Sequence, residues 1–202
     1  MLVSTADVRS WLNLPEGDKN PNDNLQTLIL STQSFVESWT NRKLEAAHYS
    51  THPDYCYLDG TGQRWLYLPQ SPVSWVGTVY VDHDREFDSA TAIGSADLVI
   101  YWAEGKIYSE EMPFTKGHRN VKVEYKAGYG PTATSSYPLP YDLKQLMIEM
   151  TVQAYKEGIT AVHTVEAGEN TRLMQMLANN SSWKATLSEY KNYAAGLSGY
   201  WE

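Results

Sequence analysis

Asp82-His83-Asp84-Arg85-Glu86 is the densest run of groups able to hold a metal or move a proton in this 202-residue chain. A metal centre needs ligands that converge, whereas successive residues of a strand point to opposite faces, so a strand carrying this run would split its ligands. No second cluster has ligand spacing, and His48, His52, His118 and His163 are scattered without an H-E-x-x-H pattern. The run reads as a solvated turn after a strand. Asp59-Gly60-Thr61-Gly62 has the glycines of a phosphate loop but lacks the Gly-Lys-Ser/Thr that should follow, and it leads into an alternating segment instead of a helix. A hairpin turn using glycine's access to positive φ is the expectation. There is no G-x-S-x-G elbow, and Glu110 and Glu111 are neighbours in sequence with nothing to suggest a shared pocket. The single cysteine, Cys56, has no identifiable activator and is expected to pack at a strand edge. No catalytic residue, metal or cofactor is expected.

The formal net charge of -8 repels phosphate backbones, and Lys116-Gly117-His118-Arg119 is too small a basic knot for a nucleic-acid footprint by itself. Aromatic content is high, with 15 Tyr and 7 Trp against 3 Phe, which favours rings with a polar tip. Such rings suit either surfaces that become buried against partners or ordinary strand and core positions. A lone cysteine fits a reducing compartment. The amino terminus has no basic region followed by an apolar run, and no stretch of about 18 consecutive apolar residues occurs. A soluble protein made in a cytoplasm, with no membrane partner, is the expectation.

The elements that must position these groups follow from period. A short helix is expected from about Thr5 to Leu12, capped by Ser4 or Thr5 with Asp7 in its first turn. Leu25, Leu28, Ile29, Thr32, Phe35, Val36 and Trp39 then recur at helical spacing, predicting a one-sided helix over about 23–42. Between about 55 and 126 the period changes to two. Val73, Trp75, Val79 and Val81 are expected on one sheet face, and Val121, Val123 and Tyr125 alternate with Lys122, Glu124 and Lys126. Leu98 to Trp102 and Lys106 to Ser109 flank Ala103-Glu104-Gly105 as a hairpin. The middle third therefore reads as an antiparallel sheet.

Gly128 to Pro138 is a linker, after which Pro140 suits a first helical turn and a helix is expected over about 140–157, the most buried of the set. Residues 159–180 read as an extended or flexible arm with a possible turn at Leu173 to Leu177. A last helix presents Trp183, Leu187, Tyr190, Ala194 and Leu197 as a narrow seam. Two explanations stand for it, packing on its own domain or docking on another protein. The fold class is α+β: a small helical bundle with an inserted antiparallel β region, 1–157, then a C-terminal arm and helix, 158–202.

In serial order, Asp7-Val8-Arg9-Ser10-Trp11-Leu12, the 23–42 helix, Asp59-Gly60 with Leu66-Tyr67-Leu68-Pro69 and Pro72-Val73, Asn120 to Tyr129, and Pro140-Tyr141-Asp142-Leu143-Lys144 resemble the head-tail connector (adaptor or head completion) proteins of tailed bacteriophages. The likeness spans roughly residues 1–157. It implies a structural virion protein: a ring of about a dozen copies beneath the portal that extends the DNA channel and offers a platform to a head-closure, stopper or tail protein. It also implies assembly in the host cytoplasm and non-specific passage of double-stranded DNA. Residues 159–180 depart most from the pattern. The expected partner interface is Trp183, Leu187, Tyr190, Tyr193, Leu197 and Trp201, with the portal as partner, an arm that orders on assembly, and a monomer that stays folded when 181–202 are deleted. Two other classes remain open: an aromatic-rich carbohydrate- or ligand-binding β-module, and a hydrolytic enzyme.

Overall fold

Ser4 and Asp7 start the first helix. The Ser4 hydroxyl accepts the Asp7 N–H at 3.2 Å while the Asp7 carboxylate accepts the Ser4 N–H at 3.0 Å, a reciprocal cap for α1 (Thr5–Leu12). Asn13, left-handed at φ 52°, ends it. The computed structural model describes residues 1–14, 22–157, 176 and 179–191. Met1–Leu44 with Gly130–Lys191 form one unit, and Glu45–Tyr129 are the described part of a second.

The first unit is helical. Among the described residues it contains α1, α2 (Asn22–Thr40) and two later helices. Leu25, Leu28, Ile29 and Val36 of α2 are buried at the expected spacing. The helix stops two residues short of 42, because Asn41 turns left-handed at φ 52°. Glu37 then anchors the exit, taking the Lys43 ammonium at 3.1 Å and the Leu44 N–H at 3.2 Å.

The second unit carries, among the described residues, α3 (Pro53–Cys56), eight strands and two short 3₁₀ turns. The strands are β1 (Ala47–Tyr49), β2 (Tyr57–Gly60), β3 (Trp65–Tyr67), β4 (Val73–Val81), β5 (Ala92–Ile93), β6 (Leu98–Tyr101), β7 (Lys106–Ser109) and β8 (Gly117–Ala127). They form two antiparallel sheets, not one. The longest strand, β8, pairs with β1, β2 and β4, and β4 with β5; the second sheet is β3-β7-β6. Leu66 and Ile107 from the small sheet and Val73, Val79, Val123 and Tyr125 from the large one share a single buried cluster. The hairpin of β6 and β7 forms as expected, with Gly105 at φ 66° in its turn.

Three expectations are corrected. Asp59 to Gly62 is a crossover between sheets and not a hairpin turn, because β2 pairs with β8 while β3 pairs with β7. Trp75 does not share a face with Val73 and Val79. Val73 pairs with Ala127, Trp75 with Lys126 and Val79 with Val123, so two register shifts separate them. Each bulge turns the strand by one residue, which carries Trp75 to the outer face and then restores Val79 to the core. Cys56 closes α3 and is fully buried in the core instead of edging a strand. In addition, β1 lies upstream of the expected sheet and joins it by pairing with β8.

The chain enters and leaves this unit side by side. The Ala46 N–H donates to the Tyr129 carbonyl at 2.9 Å, and Gly128 sits at φ 111° with Ala46 backbone where a side chain would stand. Only glycine fits that close approach.

Back in the helical unit, α4 (Tyr141–Lys156) begins at Pro140, which caps the helix from outside instead of occupying its first turn. Leu143, Leu146, Met147, Met150 and Ala154 are buried, each long apolar side chain contributing about 1.5–3 kcal/mol. α4 packs on α1, α2 and α5 (Ser181–Glu189), and the Thr151 hydroxyl lies 3.3 Å from that of Thr32. The turn expected at Leu173 to Leu177 and the expected arm lie outside the described residues, except for buried Met176 and for Asn179 and Asn180.

Candidate interaction surfaces

The groups singled out for chemistry are occupied. The Asp82 carboxylate accepts backbone N–H groups from Asp84, Glu86 and Phe87 at 2.7–2.9 Å, and the Phe87 bond leads the effects that hold its pKa below the ordinary carboxylate value. It organises a turn, as expected. Burial raises the Cys56 thiol pKa, the opposite of nucleophile activation. Two members of the basic knot have acidic neighbours: Arg119 reaches Asp54 at 3.0 Å, and His118 stands 3.0 Å from Asp59. Among the described residues no group of three His, Cys, Asp or Glu side chains could hold a metal, and no helix is long and apolar enough to cross a membrane.

What the second unit presents instead is aromatic surface. Along the small sheet, Trp65, Tyr108 and Val99 are cross-strand partners, and so are Tyr67, Lys106 and Tyr101. Alternation sends Leu66 and Ile107 inward and these six outward. Trp65 lies 4.8 Å from Tyr108 and 5.3 Å from Tyr101 between ring centroids. Tyr67 is 52% exposed, Tyr101 and the adjacent Trp102 42% each. Glu104, 2.8 Å from the Lys106 ammonium, keeps that amine protonated beside Tyr67.

The outer face of the large sheet is different. Its Lys122 ammonium stands 5.7–5.8 Å from the Tyr57, Tyr80 and Phe87 rings, Lys126 lies over Trp75 at 5.5 Å, and His48 meets Glu124 at 2.8 Å. Both lysines are thus already engaged by rings.

In the helical unit, Trp183 is 5% exposed and Leu187 fully buried, and α5 packs on α2 and α4. The Trp183 indole N–H donates to Glu149 at 3.1 Å, and the Tyr190 hydroxyl donates to Asp142 at 2.7 Å. The first two seam residues therefore offer little surface while α5 is docked. Tyr193, Leu197 and Trp201, with Ala194, lie outside the described residues. Deleting 181–202 would uncover the faces of α2 and α4 that α5 covers, so an undisturbed monomer no longer follows from that deletion. Beside α5, Trp11, Glu149, Val152, Gln153, Lys156, Asn180 and Trp183 line an open cleft of about 400 Å³.

A family model described as "head completion protein" matches residues 1–193. The chain belongs to the head completion protein family. No curated protein matches it. Chains from three solved assemblies share its fold: the neck of an empty gene transfer agent particle solved with C6 symmetry, at 18% identity and TM-score 0.53 over 87% of this chain and 88% of that one; the neck of the native particle with C12 symmetry, at 16% and 0.54 over 86% and 87%; and the native virion, at 17% and 0.54 over 87% and 88%. Head completion proteins are structural parts of a phage-type virion at the head-tail junction, so membership implies a structural, non-catalytic role. The resemblance read from the order of motifs is borne out.

Sequence reasoning did not name the ladder of Trp65, Tyr67, Tyr101 and Tyr108 as a surface in this head completion protein. The signal was present in the alternation Trp65-Leu66-Tyr67 and Lys106-Ile107-Tyr108, but only the pairing of three separate segments assembles it.

Proposed function

We propose that this head completion protein is a connector adaptor: about a dozen copies form a ring coaxial with the portal, extend the channel through which double-stranded DNA passes, and give a head-closure or tail protein its docking platform. The family match over residues 1–193 carries the reading. The shared fold with chains of necks solved at C6 and C12 symmetry supports a ring, and the net charge of -8 suits a channel that DNA must traverse without sticking. Exposed Tyr and Trp on the small sheet supply the residue types that dominate protein interfaces. In this reading α5 is an anchor, and Tyr193, Leu197 and Trp201 beyond it make the portal contact. The chain carries out no catalysis and needs no cofactor. Native mass spectrometry of the protein mixed with portal rings of its own virion tests the reading: a portal carrying about a dozen copies is expected, and a monomer that ignores the portal would overturn it.

The same aromatic ladder favours a second reading, a glycan- or small-ligand-binding β-module. That reading requires saturable ligand binding by the monomer and no ring.

A further inference from the structure

Tyr141 is the most exposed large apolar side chain among the described residues, at 85%, although it stands on the first residue of the most buried helix. A lone exposed ring is ordinary on a protein surface, so Tyr141 matters here for what it could enter. The cleft on the same unit has complementary character. Trp11, itself 50% exposed, supplies the open apolar wall and the nearly buried Val152 and Trp183 its floor, while Glu149, Lys156 and Asn180 supply a polar rim. A phenol fits such a site, with its ring on the walls and its hydroxyl at the rim.

Charge agrees. Asp142 follows Tyr141 directly and is held in place by the Tyr190 hydroxyl, whereas the Lys156 ammonium makes no hydrogen bond or ion pair among the described residues. The cleft residues of α4 follow Tyr141 by 8 to 15 positions, about 12–23 Å at a rise of about 1.5 Å per residue, so one copy cannot fill its own cleft with this side chain. A knob and a hole at different places on one subunit generate a head-to-tail chain of copies, which closes into a ring when the rotation permits.

We propose that Tyr141 of one copy inserts into the Trp11/Val152/Trp183 cleft of the next, with Asp142 facing Lys156, and that this contact propagates the ring. The proposal rests on the adaptor reading and names the surface through which its copies meet.

The test is disulfide trapping in the full-length Tyr141→Cys/Gln153→Cys double variant, assembled on portal rings of the same virion and run without reductant. Both positions are exposed, so folding is not at stake, and native Cys56 is buried away from oxidant. A ladder of covalent dimers, trimers and higher multimers, absent in each single variant, is expected. Intact rings on the portal with no ladder would overturn the contact and leave the adaptor reading standing. A product that stops at dimer would overturn the head-to-tail arrangement, failure of the wild-type chain to assemble on the portal would overturn both readings, and a double variant that fails where the wild type assembles is the loss expected on removing the knob. Tyr141→Ala should weaken ring assembly roughly tenfold or more with the monomer's melting temperature unchanged; unchanged assembly would count against the knob.

Discussion

Lys144 of α4 reaches Asp7 of α1 at 3.0 Å, so the carboxylate that completes the first helix cap also ties that helix to the central one. Burial alone would raise the Asp7 pKa, but the Ser4 hydroxyl and N–H and the Lys144 ammonium outweigh it and hold the value below 3.8. Ser4→Ala removes the hydroxyl arm of the cap and should cost about 1 kcal/mol in urea unfolding. A change within about 0.3 kcal/mol would mean the cap is dispensable.

The same depressed pKa sets a direction with pH. A carboxylate whose folded pKa lies below its unfolded value contributes stability above the unfolded pKa and loses it as pH falls through the folded one. Asp7 and Asp82 both belong to this class. Stability should therefore decline below about pH 3.8, and Asp82→Ala should flatten that acid limb. The wild-type dependence reappearing unchanged in both Asp7→Ala and Asp82→Ala would remove these residues as its source.

Asp82 also decides where Phe87 lands, since its carboxylate binds the Phe87 N–H at 2.7 Å and that ring stands 5.6 Å from Tyr57. In Asp82→Ala the amides of residues 84, 86 and 87 should exchange faster than in the wild type, without unfolding of β4 or β8. Protected amides in the variant would show that the turn holds itself.

Gly128 combines φ 111° with contact to the Ala46 backbone, so Gly128→Ala should cost about 1–3 kcal/mol from strain and from pushing apart the two chain segments that join at Ala46 and Tyr129. Chemical denaturation measures it. An unaffected midpoint would mean that the two segments separate without cost.

Asn120 is 1% exposed and staples two segments, accepting the Gly60 N–H at 2.9 Å and donating to the Thr115 carbonyl at 2.8 Å. Asn120→Ala leaves both groups without this partner and should cost about 1–3 kcal/mol for each that water cannot reach. Urea unfolding reads the loss, and a midpoint matching the wild type would show that both groups find water.

At the other end of the chain, truncation after Lys191 should keep the fold and lose portal binding, while Trp183→Ala should cost about 3–5 kcal/mol through the cavity it opens. Portal binding that survives the truncation would move the contact elsewhere.

Sequence alone determined what short-range forces decide. The Ser4/Asp7 cap, the apolar stripe of α2, the nearly all-round burial of α4 and the β6-β7 hairpin each depend on residues within a turn or two of one another, and period and capping chemistry expose them. Their serial order was enough to indicate the family. What tertiary structure decided is pairing between distant segments. That β2 and β3 leave for different sheets, that bulges opposite β8 turn Trp75 outward, and that Trp65, Tyr101 and Tyr108 meet on one face depend on partners dozens of residues away. The hydrogen bonds that select one such pairing over another form only after long loops close, and the period of a strand is the same whichever partner it takes. Tyr141 shows the same limit from the other side: it carries a helical pattern's address, but its exposure follows from how α4 turns against α1, α2 and α5.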